Sequence, residues 1–507
     1  MPGLRPVAVL GLLVVSAVAA PSLSAGPRPT DPRDAMLYAR AVRVGRNVVE
    51  RHLTPEGLLA YIHRRDATPA QLSHDCLDRA DTAIWSGCYA ASVACRYAVM
   101  RDAESLALAR RVAAGLEMLS KVTGVEGAIA RSAGRAIPGE PLGPKVVPSP
   151  LGDGFMYRKD ASRDALSGIV LGWTCLAKFV DDAEVRFVAG RNLEAIARRL
   201  YRGGMAVREP DGGKTKHGDI DAHVGPFENG SHAAIGSAAI LAGARFSGAQ
   251  DLWDAWDKLK GKGWDDAIDG QQTWVGGKVL HASNVNMAHH GLLAVALLDE
   301  GKAKRNAMAG LREFRRATDG WGNAGLIAMA LLAGQQVGRD ESVAELRRTL
   351  LDMPAQEVPF KGTWIEERKG PVPFERRPVN CWAWKQDANR EEMGRETAVL
   401  DPKDTFTRAD FLFAYWLARA AGELTPGPAD PALPPLPGTV GSGDGAPGSV
   451  TPAAGPAVPA PSVPPQAAPP PVAPPPVGPT VPGPRIPDAG ALPPPAPPPP
   501  PAAIPPR

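Results

Sequence analysis

No run of lysines or arginines appears anywhere in this chain of 507 residues, and its formal net charge is only +3. The basic face that grips a phosphate backbone is missing, so nucleic acid is not an implied partner. Cysteine is scarce too. The five, Cys76, Cys88, Cys95, Cys175 and Cys381, are an odd number in a chain long enough to bury a core without a disulfide framework. Cys88 and Cys95 are seven apart on a predicted helix, about 10 Å along its axis, too far to bond to each other. They read as buried thiols, with pairing of either one to Cys175 left open. Between Asp34 and Gly422 alternating strand patterns are almost absent, which argues against a sheet-based core.

What is present begins with an apolar stretch from Val7 to Ala20, preceded by Arg5 and followed by small residues up to Ala25. A basic start, a short apolar run and a small-residue zone describe a secretory signal over residues 1–25, with cuts after Ala19 or Ala25 both open. The run is shorter than the roughly 18 apolar residues that span a bilayer, and no cysteine follows it to accept a lipid. The expectation is an exported protein, periplasmic or extracellular, with no transmembrane segment once the signal is removed. At the other end, residues 423–507 turn to Pro, Ala, Gly and Val, with runs at Pro493–Pro495 and Pro497–Pro501. Proline lacks the backbone donor and fixes its own torsion, so this segment is expected to be a disordered, extended spacer. At about 3.1 Å per residue it reaches on the order of 200 Å, enough for contact with the cell envelope.

The middle, 34–422, reads as helices of two kinds. Residues 34–51, 103–120, 183–201, 250–260, 301–316 and 340–351 are amphipathic and charged on one face. Residues 82–99, 164–179, 231–245, 285–298, 322–334 and 409–421 are apolar almost all round and dense in Gly, Ala and Ser, so they must be buried. The kinds alternate strictly, six of each, which predicts an all-α fold: a six-hairpin (α/α)6 toroid, outer helix then inner helix. Gly87, Ala91, Gly168, Gly172, Gly236, Gly291 and Gly325 suit close packing of the inner helices. Their uneven spacing and the lack of a recurring motif speak against an open superhelical repeat. Long connections at 125–160, 202–229, 263–283 and 352–407 suggest a rim or lid.

In such a ring the inner helices run parallel, and their N-termini gather backbone N–H groups and positive dipole ends at one mouth, favouring an anionic or polyhydroxylated ligand. The residues that open them are Asp78, Asp81 and Thr82; Asp160, Ser162, Arg163 and Asp164; Glu228, Asn229, Ser231 and His232; Asn284, Asn286 and His289; Trp321 and Asn323; Arg408 and Asp410. Asp, Asn and Ser are also the usual N-caps, so each has a plain structural explanation. Arg, His and Trp are not caps, and beside carboxylates they suit a sugar or uronate site. Asp81 and Asp164 open the first two inner helices; neighbouring axes stand about 8 to 10 Å apart, which side chains can close to glycosidase range. They are the candidate acid/base pair, with Arg163, His232, Asn284, Asn286, His289, Trp321, Asn323 and Trp384 as candidate substrate-binding residues; of the adjacent His289 and His290, one is expected to face the mouth and the other to pack between helices. Arg163 beside Asp164 argues partly against the acid/base pair if its guanidinium faces the aspartate, since a nearby positive charge lowers a carboxyl pKa; the alternative for Arg163 is a clamp on a substrate carboxylate.

The segment His217-Gly-Asp219-Ile-Asp221-Ala-His223 collects metal-ligating side chains, but it reads as a loop and matches no established zinc spacing. No metal and no cofactor is implied. Trp384 is a candidate stacking platform and Trp416 a core residue.

The segments Asp81-Thr-Ala-Ile-Trp-Ser-Gly-Cys-Tyr-Ala-Ala, Val122 to Ser132, Ser162-Arg-Asp-Ala-Leu-Ser-Gly168 and Phe411 to Arg419 resemble a group of uncharacterised bacterial exported proteins expected to be α/α toroids. More loosely, the architecture is similar to the six-hairpin glycosidases, including unsaturated glucuronyl hydrolases, whose inner-helix aspartates protonate substrate and activate water. That similarity implies hydrolysis of a glycosidic bond in an acidic polysaccharide or oligosaccharide. A non-catalytic glycan-binding scaffold and a polysaccharide lyase using His289 with Arg163 are the alternatives.

Overall fold

The computed structural model describes residues 31–425 except 61, 65–69, 73–75, 78–80, 153, 225–226, 271–273, 276–277, 280–281, 319–322, 354–357 and 360–403. The expected signal, most of the expected tail, and Asp78, Trp321, Cys381 and Trp384 lie outside the described residues. No described helix is long and apolar enough to cross a membrane.

The outer helices are α1 (Pro32–Asn47), α3 (Ala103–Lys121), α5 (Ala183–Arg202), α7 (Gln250–Lys260), α10 (Lys302–Ala317) and α12 (Arg339–Asp352). Their local sequence explains them. In α5, the Asp182 carboxylate accepts from the Val185 N–H at 3.0 Å, Glu184 sits in the first turn, and Arg199 and Arg202 complement the dipole at the end. Val185, Ala189, Leu193, Ile196 and Leu200, at helical spacing, form its buried stripe. The inner helices are α2 (Thr82–Met100), α4 (Arg163–Phe179), α6 (Gly230–Ser247), α9 (Ala282–Leu298), α11 (Ala324–Ala333) and α13 (Ala409–Ala420), with α8 a single turn at Trp264–Ala267. Every residue of α2 from Thr82 to Tyr97 is buried. The alternation read from the sequence is therefore the alternation of the fold.

The inner helices close a ring: α2 packs on α4, α4 on α6, α6 on α9, α9 on α11, α11 on α13, and α13 back on α2. Outside, α12 meets α1. Asp34 of α1, fully buried, accepts from Arg347 of α12 (2.7 and 3.2 Å) and from the Thr425 N–H (3.0 Å), latching the first outer helix to the last one and to the end of the domain. Asp34→Ala leaves the Thr425 N–H without its acceptor and the Arg347 guanidinium with only the longer contact to Asp31 (3.5 Å), and should lower stability by about 2 kcal/mol in urea denaturation. A second buried pair, Arg339 with Glu423, ties α12 to the chain just beyond α13, so folded structure extends past residue 422.

Glycine sets the closest approach in the ring. A Cβ at Gly87 would overlap the Gly168 carbonyl, one at Gly168 would lie 2.6 Å from the Ile84 Cα, and one at Gly172 would lie 2.6 Å from the Gly87 oxygen. Helices α2 and α4 thus touch backbone to backbone. Gly236, expected to serve the same purpose, instead makes room for the Trp264 indole of α8. Helix α4 also touches α9, which is not its neighbour in the ring.

The two faces of the ring differ. Inner helices lead to outer ones through the short turns 101–102, 180–182, 248–249, 299–301 and 334–338, where Gly248 (φ 72°) and Gly334 (φ 104°) supply left-handed caps. Outer helices lead to inner ones through 53–81, 122–162, 203–229, 261–281, 318–323 and 353–408. These carry the described strands, short and antiparallel, where the sequence showed little strand pattern: β2 (Ser132–Gly134), β4 (Met156–Arg158) and β3 (Val146–Pro148) form one sheet, and β5 (Ala206–Arg208) pairs with β6 (Lys214–Asp219). β1 (Ile62–Arg64), β12 (Asp404–Phe406) and β11 (Val358–Pro359) join the first connection to the last. Hairpins β7–β8 (His223–Val224, Phe227–Glu228) and β9–β10 (Trp274–Val275, Lys278–Val279) complete the described strands of the rim. All this elaboration stands on the face where the inner helices begin.

Candidate functional site

Asp81 occupies the N-cap position of α2 but makes no capping hydrogen bond. Its carboxylate forms an ion pair with Arg131, while the Arg131 carbonyl accepts from the Ala83 N–H of the first turn (3.0 Å). An arginine backbone thus satisfies the helix end and its side chain holds the aspartate. Arg131 was not singled out from the sequence. It stands alone after the apolar segment Ala128-Ile-Ala, and that isolation is the one signal it leaves.

Asp164 lies in the first turn of α4, where Ser162 is the cap, accepting from the Ala165 N–H. The Ser162 hydroxyl also donates to an Asp164 carboxylate oxygen at 3.2 Å. Neither aspartate merely closes its own helix. Burial first, and the Asp81 charge second, push the Asp164 carboxyl up to about 6, against the opposing pull of Arg163, Arg131 and the Ser162 hydrogen bond. The close α2–α4 contact makes this coupling possible.

The hairpin β5–β6 is held over the start of α4 by Asp160, a non-glycine residue at φ 64°. Its carboxylate accepts from the Lys216 N–H of β6 (2.8 Å) and pairs with Lys145, its N–H donates to Glu209 Oε1 (2.9 Å), and its carbonyl accepts from Arg131 (3.4 Å). Burial pushes the Asp160 carboxyl up, but Lys145, the Lys216 N–H and Arg131 together bring it below its ordinary value. One strained residue thereby knits two rim segments to the arginine that holds Asp81.

The His217 segment was expected to be a loop; its first part is strand β6, because it pairs with β5. No group of three or more metal-ligating side chains is present among the described residues. His217 is exposed and His232 half-exposed, the single unburied position of α6 between Gly230 and Ala244. The His232 Nδ1–H donates to the Asp221 carbonyl at 3.0 Å. Burial foremost, with the nearby Arg163 charge adding to it, lowers both imidazoles below their ordinary value. Arg163 itself has no hydrogen bond or ion pair among the described residues, and its Nε is buried without an acceptor. A guanidinium left with its donors open, beside two neutral rings, is ready for a carboxylate.

On α9 the expectations divide. Asn284 is half-exposed. Asn286 is 4% exposed and its side-chain NH2 lacks an acceptor among the described residues. His289, expected in the mouth, is 1% exposed, donates from Nδ1 to the Val285 carbonyl (2.8 Å) and packs on Phe314 of outer helix α10 at 5.1 Å. It faces away from the mouth, and burial pushes its imidazole down to about 4. Helical geometry decides this: His289 and His290 are 100° apart, and His290 takes the inward direction. Asn323 does a cap's work on α11, accepting from the Leu326 N–H at 3.1 Å. Trp416 is core, as expected, against Tyr415 and the Arg96 and Arg419 guanidinium groups. Cys76, Cys88, Cys95 and Cys175 are buried thiols with no disulfide among them.

No family model and no curated protein sequence matches the chain. Among solved structures it is similar in fold to a metagenome-derived glycoside hydrolase family 9 endoglucanase, at 13% identity and a TM-score of 0.42, covering 77% of this chain and 81% of that one. It is similar also to a glycoside hydrolase family 76 mannosidase from Bacteroides thetaiotaomicron VPI-5482, at 10% identity and 0.40, covering 76% and 98%. A thermostable endoglucanase from Alicyclobacillus acidocaldarius matches at 13% identity and 0.38, covering 76% and 84%.

Proposed function

We propose that this protein hydrolyses a glycosidic bond in an acidic polysaccharide or its fragments, with Asp164 as general acid and Asp81 as its carboxylate partner. The observation that carries the reading is the unequal environment of the two aspartates. Asp164 is half-buried, beside a like charge, and desolvation with that charge pushes it up to about 6, where it can hold a proton to give to a leaving oxygen. Asp81 is ion-paired with Arg131, the environment of a carboxylate that activates water or attacks. Arg163, with its donors open, supports an acidic sugar. The lyase alternative loses support because His289 is buried against Phe314 and cannot reach a substrate proton.

The test is a panel of uronate-containing and neutral oligosaccharides offered to the wild type, Asp81→Asn and Asp164→Asn. Turnover that survives both substitutions would falsify the assignment; saturable binding without turnover in the wild type identifies a glycan-binding protein instead. Arg163→Gln should raise KM for a uronate substrate about 10- to 100-fold, the worth of a charge-assisted hydrogen bond, and leave KM for any neutral substrate unchanged. Equal losses on both would remove Arg163 from carboxylate recognition.

A further inference from the structure

Below the mouth, the ring is crossed by three side chains for which the chemistry has no use. Cys88 of α2 lies with its Sγ 3.4 Å from His290 Nε2 of α9, and His290 Nδ1 is 3.1 Å from the Ser167 hydroxyl of α4. Ser167 in turn donates to the Asp164 carbonyl at 2.9 Å. Cys88 and His290 are buried to within 1% and Ser167 to within 2%. A cysteine beside a histidine suggests a nucleophile, but the environment forbids one. Burial pushes the thiol well above its ordinary value and the imidazole down to about 3, so the proton stays on sulfur and no thiolate forms.

Proton accounting orients the whole chain. Ser167 has one hydroxyl proton, given to the Asp164 carbonyl, so its oxygen accepts from His290 Nδ1–H. His290 Nε2 is then bare and accepts the Cys88 S–H, the better use of a thiol whose sulfur is a weak acceptor. The result is a directed relay of hydrogen bonds from α2 through α9 to α4.

These three side chains lie beneath the functional ones. Asp81 is seven residues before Cys88, Asp164 three before Ser167 and Asn286 four before His290, separations that share a helix face. We propose that Cys88, His290 and Ser167 are positioning residues, a strut across the ring that sets the height and spacing of Asp81, Asp164 and Asn286 at the mouth. Its catalytic meaning rests on Asp164 being the acid, but its existence is measurable without substrate.

Two measurements on the full chain test it. In 15N spectra of the histidine rings, His290 should show the Nδ1–H tautomer and stay neutral to below pH 5; a proton on Nε2 overturns the directed chain. In 13C spectra of aspartate carboxyl groups, with Asp164 assigned through Asp164→Asn, the wild-type midpoint should lie near 6. Ser167→Ala and His290→Phe should each lower it by about one pH unit as α4 relaxes from Asp81 and water enters. His290→Asn, whose amide N–H takes the place of Nδ1–H, should restore most of it. Unmoved midpoints in Ser167→Ala and His290→Phe, with cooperative unfolding retained, would reduce the strut to packing. If His290→Phe does not fold, Ser167→Ala, which removes one oxygen, decides between strut and packing by itself. Turnover that is absent in every variant and in the wild type would sink the hydrolase reading and leave this one standing.

Discussion

Asp164→Asn is expected to lower turnover of a uronate oligosaccharide about 10²- to 10⁴-fold, the usual contribution of a positioned general acid, while making the protein more stable at pH 7. The two effects share one cause. The fold holds the Asp164 carboxyl at about 6, against 3.8 in the unfolded chain, so the folded state prefers the protonated form. Between pH 4 and 6 the folded state binds more protons than the unfolded one, so stability falls as pH rises through this window. Above pH 6 the penalty is complete, at most about 3 kcal/mol for a shift of this size. Asparagine carries no charge to desolvate and no repulsion toward Asp81, and it should recover part of that. Thermal unfolding at pH 4 and pH 7 checks it: the advantage of Asp164→Asn should be present at pH 7 and shrink at pH 4. A variant that is no more stable than wild type at pH 7 contradicts the raised carboxyl. In the wild type, turnover should decline as pH rises through about 6, because the acid loses its proton.

The second large effect is expected at Gly168. Alanine there places a methyl group against the Ile84 backbone and the root of its side chain, neither of which can yield as the tip of a long side chain would. Overpacking of this kind costs about 3 kcal/mol, measurable as a lower urea midpoint. Helices α2 and α4 must also separate, which moves Asp164 from the Asp81 charge and admits water. Gly168→Ala should therefore lower the Asp164 midpoint even where the ring stays folded. Gly248→Ala, in a turn with open space around it, is the control: its strain is local, and the Asp164 midpoint should not move.

Much of the architecture was legible because it depends on near-neighbour pattern. Helix α5 is readable from Asp182, its acidic first turn and its arginine-rich end; α2 is readable as buried because no face of it carries charge until Arg96. The proposed site could be read from the sequence only where a helix start is also a chemical group, as at Asp81, Arg163 and Asp164, which the structure places at the starts of α2 and α4. Asn323 looked the same and turned out to be a cap, and His289 was one residue away from the inward direction that His290 takes. The short strands of the rim left little pattern, since two to six residues pairing across a loop need no alternating apolar face.

By itself the sequence determined the order and burial of the six outer and six inner helices among the described residues, since helical periodicity and the want of charge on every second helix are local properties. The backbone contact of α2 with α4, the meeting of Arg131 with Asp81 and the relay from Cys88 through His290 to Ser167 were decided only by the tertiary structure. Each joins residues far apart in the chain, and the raised Asp164 carboxyl depends on all the charges and burial they bring around it. A pKa is a property of surroundings, and the surroundings exist only once the ring has closed.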